Sequence, residues 1–167
     1  MKTTAVYWIE KLKLIPHPEG GYYKEIYRAD EILEQSRLPE RYNGDRSFST
    51  SIYFLLNKDD RSHFHRLKSD EIWHFYDGSS LRIYVIDQLN ILNTFLLGKN
   101  FEKGEKLQLV LPKNCWFAAE VIDKESFALI GCTVAPGFNF EDFELGERKK
   151  LLEVYPMYSD LITRFTN

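Results

Sequence analysis

Hydrophobic positions first recur at helical spacing. Ala5, Trp8, Ile9 and Leu12 share one side of residues 4–14, with Glu10, Lys11 and Lys13 opposite, so a short amphipathic helix opens the chain. Pro16, Pro18 and the Gly20-Gly21 pair stop it. From residue 21 to 28 the pattern turns aromatic and extended. Period-two alternation there puts Tyr23, Glu25 and Tyr27 on one face and Tyr22, Lys24, Ile26 and Arg28 on the other. Residues 29–46 are charged and contain Pro39 and Gly44, the pattern of a long surface connection, a rim or lid with a helical turn around 31–37. Strand-like segments follow at 48–56, 62–66, 72–76, 81–87, 91–97, 106–111, 116–122 and 127–135. The breaks at 57–60, 77–80, 88–90 and 123–126 have hairpin chemistry. After Pro136-Gly137 the rhythm becomes helical around 148–153 and 158–165, with Pro156 between. Short strands in series, with no helices among them, exclude a parallel α/β sheet and predict an all-β sandwich or barrel with terminal helices packed outside it. With no internal repeat and no shift of composition, residues 1–167 are expected to form a single domain.

Composition strengthens the β reading: 12 Phe, 10 Tyr and 3 Trp against 9 Gly favour pleated, half-buried strands. A hydrophobic fraction of 44% is enough to fill one core without a disulfide or metal staple. The net charge of −3 is spread along the chain without a basic stripe, so no nucleic-acid partner is expected. Cys115 and Cys132 have no metal or redox spacing and read as buried thiols of a reducing compartment. The start meets charge before any signal-peptide stretch could form, and no run reaches the roughly 18 apolar residues of a membrane span. A cytoplasmic protein with no membrane partner is expected.

Candidate chemistry is concentrated in one stretch, where three of the four histidines fall between Ser62 and Gly78. On an ideal strand His63 and His65 point the same way, and Glu71 returns on the next strand to face them. Two imidazoles and a carboxylate are a donor set suited to Fe, Mn, Ni or Zn. The register that turns Glu71, Trp73 and Phe75 inward sends His74 outward; if Asp70 faces the pocket instead, His74 joins it. His17, between prolines, reads as a loop residue bonded to backbone.

His63-x-His65, Glu71 and Gly78 resemble the first motif of the cupin superfamily, and residues 104–117 its second, with Pro112-Lys113-Asn114 at the Pro-x-Gly and Phe117 where a fourth, metal-binding His stands. More narrowly, the segment His17-Pro18-Glu19-Gly20-Gly21-Tyr22-Tyr23-Lys24-Glu25-Ile26-Tyr27-Arg28, residues 64–78 and residues 135–146 resemble the small single-domain cupin branch (cupin-5 type), whose members are mostly of unknown function. That resemblance implies a double-stranded β-helix, the cupin jelly roll. Gly21-Tyr22-Tyr23-Lys24-Glu25 is also loosely similar to the early strand of dTDP-sugar epimerases, metal-free members of the fold. It implies that Glu25 and Arg28 bind substrate, although on an ideal strand they lie on opposite faces and need a bulge or a second subunit to share a pocket.

The expected function is therefore binding of a small polar molecule in the barrel, a carbohydrate or nucleotide sugar, with epimerase or isomerase chemistry. His63 or His65 serves as general base, held by Glu71 or Asp70, and Tyr23 or Tyr53 as acid, while Glu25, Arg28, Glu71, Trp73 and Phe117 line the substrate site. Two alternatives stay open: a divalent-metal enzyme with His63, His65 and Glu71 as ligands, and a non-catalytic small-ligand-binding cupin. A homodimer is expected, because a jelly roll leaves sheet edges and the aromatic strand at 22–27 suits pairing across a twofold axis.

Overall fold

The computed structural model describes residues 4–167; residues 1–3, on which the reading of the chain's start partly rests, lie outside the described residues. Helix α1 (Ala5–Leu12) is capped by Thr4, whose side chain accepts from the Tyr7 amide at 3.2 Å. It closes at Lys13, which takes a left-handed conformation, φ 55°, short of the expected end at residue 14. The strands follow as β1 (Ile15–Pro16), β2 (Tyr22–Arg28), β3 (Ile32–Leu33), β4 (Arg46–Ser47), β5 (Thr50–Asn57), β6 (Arg61–Leu67), β7 (Glu71–Gly78), β8 (Leu81–Ile86), β9 (Leu92–Leu97), β10 (Gln108–Leu111), β11 (Trp116–Val121), β12 (Phe127–Val134) and β13 (Phe143–Leu145). Helices α2 (Arg148–Val154) and α3 (Ser159–Arg164) end the chain. Each strand expected between residues 48 and 135 is present with its ends moved by no more than two residues. The helical interruption among them, within the described residues, is one 3-10 turn at Phe101–Lys103.

Two antiparallel sheets face each other as a jelly roll. One runs β1-β2-β5-β12-β7-β10 and the other β13-β6-β11-β8-β9. Between them lies a core that includes Phe54, Leu56, Trp73, Ile83, Phe117, Val121 and Ile130. Strands β11 and β12 are apolar without alternation because both of their faces are covered. Helices α2 and α3 pack Leu151, Ile162 and Phe165 over Phe64 and Trp116, and α1 packs Ala5 and Trp8 over Leu55 and Leu129. Trp8 also donates its indole N–H to Asp77 at 2.9 Å.

The connection at 29–46 differs from the expected lid. Its helical turn is a single 3-10 turn at Gln35–Arg37, beside the small β3-β4 ladder. Arg46 is buried and bonds both carboxyl oxygens of Asp142, at 2.6 and 2.8 Å, which ties the connection to the 138–145 segment. None of its residues reaches the cavity described below.

Two bulges break the period-two alternation where it matters most. On β2, Glu25 pairs with Ile52 and Tyr27 with Ser51, so Ile26 is an extra residue; Arg28 then falls opposite Thr50 and joins Glu25 on the inner face, while Tyr27 turns outward. On β6, His65 pairs with Phe117 and Ser62 with Ala119, so His63 and Phe64 together oppose Ala118. Ser62, His65 and Leu67 therefore face the core, Phe64 packs under the C-terminal helices, and His63 is turned aside.

Candidate functional site

Between the sheets, at the end where β2, β5, β6, β7, β12 and β13 converge, lies a cavity of about 440 Å³, within the size range of small-molecule sites. Its walls are largely apolar. Phe54, Phe138, Phe140 and Phe143 line it, and the polar groups facing them include His17, Glu19, Tyr23, His65, Glu71 and Cys132, with the Glu25–Arg28 pair beside them.

Glu19 reaches this cavity because two glycines let its loop lie on β6. Gly20 has φ 110°, and a Cβ there would sit 2.0 Å from the Arg61 carbonyl oxygen; Gly21 has φ 70° and passes close to the Leu55 carbonyl. The loop is fixed by the His63 amide and by His63 Nδ1, each donating to the Glu19 carbonyl at 2.8 Å. Its side chain then meets Ser62 Oγ, which donates to Glu19 Oε1 at 2.8 Å, and His65 Nε2, 3.1 Å from Oε2.

The location of the proton between Glu19 and His65 follows from the other imidazole nitrogen. His65 Nδ1 lies 2.7 Å from the His63 carbonyl oxygen, which can only accept, so Nδ1 carries a hydrogen and Nε2 is the free lone pair of the neutral ring. Burial pushes the His65 pKa down to about 3. It raises that of Glu19 well above the ordinary carboxyl value, aided by the nearby Glu71 charge. Glu19 therefore holds the proton and donates it to His65 Nε2, which leaves both side chains uncharged. His17 adjoins it, with Nδ1 accepting from the Glu19 amide at 3.3 Å and its pKa lowered to about 4 by burial.

Glu71 and Trp73 also line the cavity, from the inner face of β7. Burial raises the Glu71 pKa to about 7, opposed by the Trp73 indole and the Cys132 thiol, which lean toward its carboxyl. The Cys132 thiol is itself held neutral by burial. Trp73 is 1% exposed and its Nε1–H completes no hydrogen bond. A buried donor left unpartnered costs about 1–3 kcal/mol.

The structure brings together Tyr23, Glu25, Arg28, His65, Glu71 and Trp73 of the residues expected at the site. The remaining expected residues lie elsewhere, which corrects the places expected for His63, Phe117 and Tyr53 and decides between Glu71 and Asp70. His63, expected beside His65, is turned out of the cavity by the β6 bulge and occupied with the Glu19 backbone. Phe117 is a core residue behind His65, ring centroids 4.1 Å apart, and lines no part of the cavity. Asp70 is exposed and accepts from the Lys113 amide at 2.7 Å, so the carboxylate facing the pocket is Glu71. Tyr53 packs against Tyr76, 6.0 Å between ring centroids, and His74 Nε2 lies 3.2 Å from Thr133 Oγ1, both away from the cavity. Glu25 and Arg28 are brought inside but bound to each other, with Arg28 donating to both Glu25 oxygens at 3.0 and 2.7 Å and to the Phe138 carbonyl at 3.1 Å.

The divalent-metal reading fails the same geometric test. Both nitrogens of His65 are engaged, His63 is outside, and no three His, Cys, Asp or Glu side chains among the described residues converge as a metal's ligands would. Glu19 and His17 were not among the expected site residues. Their signal is present in His17-Pro18-Glu19-Gly20-Gly21, where paired glycines beside a carboxylate mark a loop pressed against another strand.

Comparison with known proteins agrees with this architecture. Residues 6–146 match the family described as Cupin superfamily (DUF985). The uncharacterized protein YML079W of Saccharomyces cerevisiae is 31% identical over 143 residues, covering 80% of this chain and 71% of the yeast protein. Among solved structures, protein SO0799 from Shewanella oneidensis superposes with a TM-score of 0.90 at 38% identity, over 99% of each chain. A hypothetical protein from Leishmania major gives 0.88 at 34% identity, over 98% of this chain and 99% of that one. Oxalate decarboxylase from Bacillus subtilis shares the fold alone, with a TM-score of 0.54 at 13% identity over 90% of this chain and 36% of that one. Family match, close structural relatives and jelly-roll topology coincide, and the chain belongs to the DUF985 branch of the cupin superfamily.

Proposed function

We propose that this cupin binds a small polar molecule of carbohydrate type, free or as a nucleotide sugar, in its cavity and moves a proton on it, as an isomerase or epimerase does. The observation that carries this reading is the 3.1 Å contact between Glu19 Oε2 and His65 Nε2 inside a buried, ligand-sized cavity. A carboxyl whose proton affinity is raised by burial can give its proton to a substrate and take it back in the reverse step, while the neutral imidazole behind it holds the carboxyl in position. Glu71, with a pKa near 7, is the base in this reading, and Tyr23 lines the same space. Catalysis needs groups whose proton affinities have been moved toward the working pH, and burial has done this here to both carboxyls.

The test is exchange with solvent. Protein in deuterium oxide is incubated with a panel of free and nucleotide-linked sugars, and loss of individual C–H signals is followed by proton NMR. Exchange at one carbon, abolished in Glu19→Gln and His65→Gln, is expected; no exchange on any member of the panel would overturn the reading.

A further inference from the structure

The cavity lining offers no free positive charge among the described residues. Glu19, Glu25 and Glu71 face the space, and the one lysine or arginine of the described lining, Arg28, is already held by Glu25 and the Phe138 carbonyl. His17 and His65 are kept neutral by burial and offer no positive charge. An anionic group placed inside would meet carboxyls and no free cation. Trp73 lines the same space with its Nε1–H buried and without a hydrogen-bond partner among the described residues, and Glu71 lines it two residues along the same strand face. The pair asks for one atom that accepts from the indole and donates to the carboxyl. A carboxylate or phosphate oxygen accepts only, and an ammonium donates only. A hydroxyl does both.

We infer that the Trp73–Glu71 floor takes a hydroxyl of an uncharged polyhydroxylated ligand, a free sugar or cyclic polyol, whose oxygen accepts from Trp73 Nε1 and whose hydrogen goes to Glu71. This rests on the reading of the cavity as a small-molecule site and narrows its substrate class, since a nucleotide sugar would bring a diphosphate to a cavity with no unpaired cation. The aromatic walls suit the apolar face of a sugar ring, and the ring's other hydroxyls fall within reach of Glu19 and Tyr23.

The experiment compares glucose, galactose, mannose and myo-inositol with glucose 1-phosphate, glucuronic acid, glucosamine and UDP-glucose. Binding is measured by saturation-transfer NMR and calorimetry on the full chain, and the indole N–H resonance of Trp73 is followed in 15N-labelled protein, assigned with Trp73→Phe. Expected are binding of at least one uncharged ligand, at least tenfold weaker binding of charged ligands, a shift of the Trp73 N–H resonance on binding, and at least fivefold weaker binding to Trp73→Phe. Binding of a charged ligand as tight as the best uncharged one, no binding of any uncharged ligand, or an unmoved Trp73 resonance would each overturn the inference. The resonance keeps the test valid if Trp73→Phe folds poorly. Run in deuterium oxide, the same samples separate the two ideas: uncharged sugars that bind without C–H exchange refute proton transfer and support this site. Exchange confined to charged sugars refutes this site and supports proton transfer.

Discussion

Burial shifts four residues of the cavity, His17, Glu19, His65 and Glu71, against their charged forms, and each ties stability to pH. For the carboxyls the folded pKa lies above the unfolded one, so their stabilisation is complete below pH 4.5 and is lost as pH rises, up to about 7 for Glu71. For the imidazoles it lies below, so their stabilisation is complete above pH 6.5 and is lost as pH falls toward 4 for His17 and 3 for His65. The two pairs oppose each other between pH 4.5 and 6.5, and the cluster yields a plateau there with a fall on either side, each group contributing about 1.4 kcal/mol per pH unit. Urea midpoints from pH 3.5 to 8 should show it, and in Glu71→Gln the plateau should become a rise from pH 4.5 to 6.5, while the fall above pH 6.5 loses the share that Glu71 contributes up to about 7. At Phe117, substitution by His should create no metal ligand, because the side chain lies in the core behind His65; it should bury a polar ring and cost about 2–4 kcal/mol. Denaturation together with metal analysis of the purified variant checks both halves. From the chain alone Phe117 read as the place of a missing ligand, since spacing in a motif says nothing about which side of the neighbouring ring a residue occupies.

Elements bring these residues to one place through irregularities as much as through regular strands. Strand β2 and the eight strands between residues 48 and 135 were readable, because alternation, aromatic content and turn residues act locally and agree with one another, whereas the two- and three-residue strands β1, β3, β4 and β13 are too short to show a period. Side-chain direction was readable only where pairing stays in register. One extra residue on β2 turns Arg28 inward, and one on β6 turns His63 away, and neither bulge has a marker such as glycine at the inserted position. The loop before β2 depends instead on two glycines. Gly20→Ala would drive a Cβ into the Arg61 carbonyl and force a positive φ on a residue that resists it, so the loop should lift from β6 and carry Glu19 away from His65. The variant should lose about 2–4 kcal/mol of stability, and the His65 pKa, followed by NMR, should rise from about 3 toward 6.5 as the ring gains access to solvent.

For the whole molecule, β2 carries an unsatisfied edge among the described residues: β1 pairs only with Tyr22 and Tyr23, no described strand lies beyond Lys24 to Arg28, and Ile15, Ile26 and Tyr27 are exposed beside it. Covering that edge with a second copy across a twofold axis is the expected solution. Light scattering at micromolar concentration should report a homodimer, and Ile26→Lys should shift it toward monomer; a monomeric wild type would contradict the expectation. The order of strands, the all-β class and the outer position of the helices were determined by the sequence itself, because hydrophobic period and turn chemistry are set by neighbours in the chain. So was the family, through motifs spread over most of its length. The working set of the cavity was decided only by tertiary structure. Glu19 is brought against His65 from 46 positions away by a loop lying on β6, His63 leaves through a bulge, and the protons settle where burial makes charge costly. None of these follows from local pattern, because register, close backbone approach and desolvation come into being only when distant strands pack.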